Sequence, residues 1–187
     1  MASSCRKWAA RLPIERTTLS SASAANASIG VGIFSGRSTA SAPSSDVVFL
    51  IGMRVNRLFA FRKWMHVSAA MPRMLRELYA NPELGFLGGE TLLNWRGVTS
   101  MQYWKSFEHL HAYAHARDAA HLPAWAAFHR AIGRDGSVGI WHETYLIEAN
   151  HSESIYAYMP PWGLSRAFGR IPITSVNDRA RQRVEGA

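Results

Sequence analysis

The stretch VVFLIGMRV (47–55) decides the fold, because it is apolar and β-branched at alternating positions on both of its faces. A run of this kind is typical of a strand that is covered on both sides. Apolar residues then recur at helical spacing over 58–79, and Pro72 within that segment predicts a kink or a break. The chain therefore begins its folded part with a strand followed by a helix.

Further elements follow in a recognisable order. The residues Arg96-Gly97 predict a hairpin between strands over 86–95 and 98–104. Ser106 is placed to cap a helix that runs to about residue 117, and Pro123 to start another that stops at Gly133. Two more strands are predicted over 138–147 and 154–159. This order predicts an α+β fold, a ferredoxin-like antiparallel sheet with helices on one face.

The strand over 138–147 predicts how the second face of the sheet is covered. One side of this strand carries Val138, Ile140, His142, Thr144 and Leu146. The opposite side carries Trp141, Glu143, Tyr145 and Ile147. Both sides are mainly apolar or aromatic, and about 120 ordered residues are too few to cover both. We therefore expect a homodimer in which two sheets pack face to face as a dimeric α/β barrel.

Composition divides the chain into three parts. Residues 1–31 form a Ser-, Ala- and Arg-rich extension, residues 32–163 the folded domain, and residues 164–187 a basic, flexible tail. The extension is interpreted as disordered or as a misplaced start, and an organellar transit peptide is the alternative. The expected compartment is otherwise the cytoplasm, and no apolar run is long enough to predict a membrane span.

Charge and motifs exclude several function classes. The formal net charge is +8, but residues 46–164 contribute only +1 of it, so no dedicated nucleic-acid-binding face is expected. The single cysteine, Cys5, excludes an intramolecular disulfide framework and a cysteine-based zinc site. No phosphate-binding glycine loop and no nucleophile elbow are present, which disfavours nucleotide-driven and serine-hydrolase chemistry.

The ionisable pair His142-Glu143 is the strongest candidate for catalysis. Both residues lie in the middle of an apolar strand, where an unpaired charge costs several kcal/mol unless it finds a partner or a cavity. Adjacent strand residues point to opposite faces, so one should face the helices and the other the dimer barrel. His121, in the link before Pro123, is the third catalytic candidate. A structural histidine remains the alternative for each position.

A second group of residues suggests substrate binding. Arg54 and Asn56, at the end of the first strand, could donate hydrogen bonds to a carbonyl or an oxygen-derived anion, or could simply mark a strand end in solvent. Tyr103, Trp104 and Trp141 suit a pocket for a flat apolar ligand as well as a core. No metal site is predicted, since His111 and His115 are interpreted as a solvated helical face.

Several long segments together resemble a known family. These are VVFLIGMRVNRL (47–58), AMPRMLRELYANPELGFLGGE (70–90), QYWKSFEHLHAYA (102–114), HLPAWAAFHRAIG (121–133) and VGIWHETYLIEA (138–149). They resemble small bacterial and fungal proteins that are grouped with the monooxygenase-like protein of fumagillin-type biosynthesis, in the dimeric α/β barrel superfamily. The resemblance implies the fold, the dimer and a monooxygenase-like activity; no set of catalytic residues is carried over from it.

The relatives in this superfamily leave three functions open. The first is an antibiotic-biosynthesis-type oxygenase that oxidises a small apolar, aromatic or terpenoid substrate without a cofactor. The second is a haem protein, either an oxygenase or an aldoxime dehydratase-like enzyme, with His142 or His121 as axial ligand. The third is a non-catalytic barrel that binds a small ligand. The first is the prediction, with no cofactor required.

Overall fold

A computed structural model describes residues 32–41, 45–116 and 135–185. In chain order these residues form β1 (Arg37–Ala40), β2 (Ser45–Val55), α1 (Phe61–Ser68), α2 (Ala70–Ala80), a 3₁₀ turn (Pro82–Leu84), β3 (Phe86–Asn94), β4 (Gly97–Trp104), α3 (Phe107–His115), β5 (Val138–Glu148), β6 (Tyr156–Ala157), α4 (Leu164–Phe168), β7 (Arg170–Pro172) and α5 (Ala180–Glu185). The helix predicted from Pro123 lies outside the described residues.

The main sheet has four antiparallel strands in the order β3-β4-β2-β5. Strand β2 lies at its centre and pairs along its length with β5, from Ser45 opposite Glu148 to Val55 opposite Val138. With helices between β2 and β3 and after β4, this is the ferredoxin-like arrangement. The predicted α+β fold is confirmed, and β2 is central because it is apolar on both faces.

One face of the sheet, called the helix face here, packs against α1, α2 and α3. Near α2 and α3 the core contains Val47, Leu78, Phe86, Trp104, Leu110 and Tyr113. Near α1 it contains Met53, Val55 and Val138, with Trp64 and Val67 of the helix packed on them. The other face is called the open face.

A capping serine and a proline bear on where the helices begin and end. Ser106 caps α3, and its hydroxyl accepts a hydrogen bond from the His109 amide, as expected. The break predicted at Pro72 falls instead at Ala69, between α1 and α2. Pro72 is the third residue of α2, where its missing N–H has no partner within the helix in any case.

The C-terminal part differs from the prediction. Residues 164–185 were expected to form a flexible tail, but they contain α4, β7 and α5. Strand β7 pairs with β1, which also pairs with β6, so that a second, three-stranded sheet forms. Arg183 of α5 binds the Glu153 carboxylate, which ties the last helix to the loop before β6. Tertiary pairing, which a basic composition does not reveal, orders this segment.

Helix α4 lies on the open face beside β3. The Arg166 side chain passes within 3.5 Å of the position that a Cβ on Gly88 would take, and its Nε lies 3.1 Å from the Glu90 carboxylate. The chain thus covers part of the open face itself. The strand predicted over 154–159 is reduced to Tyr156–Ala157. None of the helices in the described part of the chain has the length and apolarity to cross a bilayer.

Candidate active site

The alternation of strand residues separates His142 from Glu143. His142 pairs with Ile51 and lies on the helix face, where its ring centroid is 5.8 Å from that of Phe49. Glu143 lies on the open face and accepts a 2.6 Å hydrogen bond from the Tyr145 hydroxyl. Both side chains are exposed. The two residues therefore serve different surfaces and do not act on one ligand within a chain.

The helix face carries two adjacent rows of side chains around His142. Ser100, Ile51 and His142 are paired across β4, β2 and β5, and Gln102, Phe49 and Thr144 form the neighbouring row. Strands lie about 4.8 Å apart, so each row spans about 10 Å. We call these six residues the sheet floor. It combines two apolar side chains in the middle with polar groups on either side.

Gln102 is the best-connected polar residue of the sheet floor. Its side chain is buried, its Oε1 accepts a hydrogen bond from the Trp104 indole N–H at 3.1 Å, and its Nε2 donates to the Ser100 hydroxyl at 3.3 Å. The same Nε2 is 3.9 Å from the Met71 sulfur of α2. These bonds fix the amide, with its N–H groups directed along the helix face.

Trp104, a predicted substrate-binding residue, lies in the core. Its side chain is fully buried, and its ring centroid is 5.6 Å from the centroids of both Phe86 and Tyr113. The Tyr113 hydroxyl donates a 2.8 Å hydrogen bond to Glu77. Burial, followed by that hydrogen bond and the charge of Glu77, raises the pKa of Tyr113. Trp104 therefore supports the sheet floor through Gln102 rather than forming its surface.

Tyr103 and Trp141, the other aromatic candidates, lie on the open face. The Trp141 indole lies across Gly52, where a Cβ would be 2.7 Å from its Nε1. Tyr103 is buried beneath the C-terminal segment, and its hydroxyl lies 3.1 Å from the position of a Cβ on Gly163. Burial, and then the nearby Tyr156, Asp46 and Glu90, raise the pKa of Tyr103 to about 12. It therefore stays protonated at neutral pH.

Arg54 and Asn56 lie at the end of β2, away from His142. Arg54 is exposed on the open face, at the end of β2. The Asn56 side-chain amide donates a 3.0 Å hydrogen bond to the Gly136 carbonyl, and the Asn56 backbone carbonyl accepts one from the Arg96 guanidinium at 2.9 Å. Asn56 thus connects β2 to the turn before β5. Neither residue adjoins His142 in the register of the sheet, and His121 lies outside the described residues.

Sequence reasoning missed Ser100 and Gln102 as residues of the site. The signal was present, because Ser100, Gln102 and Trp104 alternate along β4 and therefore share a face. Polar side chains at two inward positions of a strand that ends in a buried tryptophan indicate a hydrogen-bonded polar cluster rather than a uniform apolar core.

The side chains of the described residues decide whether a metal ion or a haem could be held. Within 32–41, 45–116 and 135–185, no group of three or more histidine, cysteine, aspartate or glutamate side chains converges to hold a metal ion. Haem needs only one protein ligand, and the exposed His142 imidazole beside Phe49 is the described side chain that would hold it. The sheet floor is thus compatible with a flat apolar molecule on the helix face.

Comparison with known proteins places the chain in a family. The profile of the Monooxygenase af470-like family matches residues 46–164. A curated relative, monooxygenase af470 of Aspergillus fumigatus, is 29% identical in an alignment of 169 positions that covers 78% of this chain and 58% of the relative. This chain thus spans little more than half the length of that relative.

One solved structure is similar in fold, and a second gives a lower score. An aldoxime dehydratase, OxdRE, solved with butyraldoxime, superposes with a TM-score of 0.57 at 16% identity, covering 68% of this chain and 38% of that one. SnoaB, a cofactor-independent oxygenase from Streptomyces nogalater, gives a TM-score of 0.39 at 13% identity, over 54% of this chain and 91% of its own. The resemblance stated from the sequence is confirmed: this chain belongs to the Monooxygenase af470-like family.

Proposed function

We propose that this protein is a monooxygenase-type enzyme that oxidises a small apolar, aromatic or terpenoid substrate on the helix face of its sheet, without a cofactor. The observation that carries the proposal is the sheet floor, on which an exposed imidazole, His142, lies next to Phe49 and Ile51. Membership of the Monooxygenase af470-like family supports the reaction type.

His142 is the proposed base. An imidazole can take a proton from a carbon that is acidified by an adjacent or conjugated carbonyl, because the negative charge moves onto the carbonyl oxygen. The resulting carbanion gives up its electron pair to O2, and a hydroperoxide forms at that carbon. Loss of water from the hydroperoxide leaves a carbonyl, so a CH2 group and O2 yield C=O and H2O. One oxygen atom enters the substrate and the other leaves as water.

Gln102 is proposed to hold the sheet floor in position. Its buried amide is bonded to Trp104 and Ser100 and lies 3.9 Å from the Met71 sulfur, so it steadies the surface on which the substrate lies and does not itself bind the substrate. Phe49 and Ile51 supply the apolar contact area between the two polar sides.

The proposed enzyme is a homodimer. The part of the open face formed by β2 and β5 presents half-buried Val48, Leu50 and Trp141 next to exposed Tyr145. A sheet surface of this kind is stabilised when it is covered, and a second copy offers the same surface through a twofold axis. Glu143, which lies on that face, is assigned to the interface rather than to catalysis.

Oxygen consumption tests the proposal. Purified protein is given electron-rich phenols, polyketides and terpenoid ketones, and the His142→Ala variant is compared with His151→Ala, a change in the exposed turn after β5. We expect His142→Ala to lower turnover by about 10²- to 10⁴-fold, the usual contribution of a general base, and His151→Ala to have no effect. Equal rates for the two variants would refute the role of His142.

A haem protein is the second candidate, and His142 on the helix face is the observation that favours it. Bound haem would supply an iron centre for oxygen or aldoxime chemistry, and His142 is the residue that would hold it. Haemin titration distinguishes the candidates: a Soret shift that is lost in His142→Ala supports haem, while catalysis by colourless protein supports the cofactor-free reaction.

A further inference from the structure

Large apolar side chains project into solvent at the end of the sheet where β2 finishes. Phe59 is 103% exposed and Trp95 is 95% exposed, so neither contributes to the core. We call the following five residues the aromatic tip: Leu58, Phe59, Phe61, Leu93 and Trp95. An apolar cluster of this size on a folded chain marks a surface that interacts with something else.

The aromatic tip is a single, connected feature. It is formed by the segment from the end of β2 to the first residue of α1 and by the end of β3 with the hairpin turn that follows it. The Val55 amide donates a 2.6 Å hydrogen bond to the Arg96 carbonyl, which joins the hairpin turn to the end of β2. The Trp64 indole donates to the Leu58 carbonyl at 3.1 Å, and Phe61 packs edge-on against that indole. These contacts hold the two segments together at one end of the sheet.

The surroundings of the aromatic tip are basic. Segments 54–65 and 93–97 contain no aspartate or glutamate. They contain five cationic residues: Arg54, Arg57, Arg62, Lys63 and Arg96. Lys63 binds the carboxylate of Asp135, in the turn before β5, at 2.6 Å, and Arg54, Arg57 and Arg62 are exposed. The tip therefore combines apolar bulk with an excess of positive charge.

We propose that the aromatic tip docks this protein on the surface of an anionic phospholipid bilayer. Phe59 and Trp95 would enter the boundary between headgroups and acyl chains, where aromatic rings are stabilised. The surrounding arginines would bind the phosphates of the headgroups, each adding to the attraction towards a negative leaflet. Phe59 and Trp95 are almost entirely in solvent and the surrounding residues are basic, and this combination suits the surface of an anionic bilayer.

Co-sedimentation of the full chain with lipid vesicles tests the proposal. The vesicles are phosphatidylcholine alone or phosphatidylcholine mixed with phosphatidylglycerol. We expect binding to the mixed vesicles, weakened by about tenfold or more in the double variant Phe59→Ser/Trp95→Ser. Because both side chains are already in solvent, the variant should fold normally. Its control is Ile155→Ser/Val176→Ser, which removes exposed apolar residues elsewhere and should bind like the wild type.

A charge variant tests the electrostatic half of the proposal. Arg57→Glu/Arg62→Glu should abolish the preference for phosphatidylglycerol, whereas Arg76→Glu/Arg179→Glu, also at exposed arginines, should keep most of it. Brominated lipids should quench tryptophan fluorescence in the wild type and less in Trp95→Phe.

Three results would overturn the proposal. The first is equal vesicle binding by the wild type and Phe59→Ser/Trp95→Ser, which would assign the binding to another part of the chain. The second is self-association of the wild type that this variant abolishes, with no vesicle binding, which would assign the tip to a second copy. The third is retention on single-stranded RNA, lost in the variant, again with no vesicle binding.

Discussion

Replacing Gln102 with leucine tests whether the sheet floor depends on a hydrogen-bonded amide. The wild-type side chain is 4% exposed and bonds both the Trp104 indole and the Ser100 hydroxyl. Leucine removes the acceptor of the indole N–H and the donor to the hydroxyl. Each buried group that is left without its partner costs about 1–3 kcal/mol, and two groups lose a partner here. The apolar contacts of leucine offset part of that cost. We expect a loss of about 2 kcal/mol in the free energy of unfolding.

A double-mutant cycle with Trp104→Phe isolates the contribution of the indole. Phenylalanine has no N–H, so in its background Gln102→Leu no longer leaves an indole donor unsatisfied. We expect the double variant to be more stable than the sum of the single effects by about 1 kcal/mol, measured by urea denaturation. Strict additivity, or a Gln102→Leu variant as stable as the wild type, would refute the assignment of this hydrogen bond.

Three further predictions concern other parts of the fold. Gly52→Ala would place a Cβ 2.7 Å from the Trp141 indole and should lower the free energy of unfolding by about 1–3 kcal/mol, measured by urea denaturation. Arg183→Met should cost about 2 kcal/mol by the same assay, since its guanidinium binds Glu153 and backbone carbonyls. Burial raises the pKa of Asp46, so its contribution to stability falls as the pH rises above the ordinary value of 3.8. Asp46→Asn should therefore gain stability relative to the wild type from acid to neutral pH, as followed by thermal melting across a pH series.

The sequence predicted the main sheet well because its strands have strong local signals. The run VVFLIGMRV became β2, the alternating 138–147 segment became β5, and Ser106 capped α3 through its own hydroxyl. Strands β1 and β7 have no such signal. Thr39 pairs with Ile171 across a long separation in the chain, and short polar strands of this kind exist only because the partner is present.

The candidate site was predicted in part. The opposite orientation of His142 and Glu143 follows from the two-residue period of a strand, and the structure places them on different faces. The sequence does not say which neighbours a side chain meets across the sheet, because that depends on register. The grouping of His142 with Ile51 and Ser100, and the separation of Arg54 from them, therefore required the pairing of β2 with β4 and β5.

The fate of isotopically labelled oxygen tests the proposed reaction most directly. Turnover under ¹⁸O2 in unlabelled water, followed by mass spectrometry, should place one ¹⁸O atom in the carbonyl of the product and the other in water. His142→Ala should form this labelled product at least about 100-fold more slowly. A product that carries no ¹⁸O, or labelled product formed at the same rate by His142→Ala, would contradict a monooxygenase reaction that begins with proton removal on the helix face.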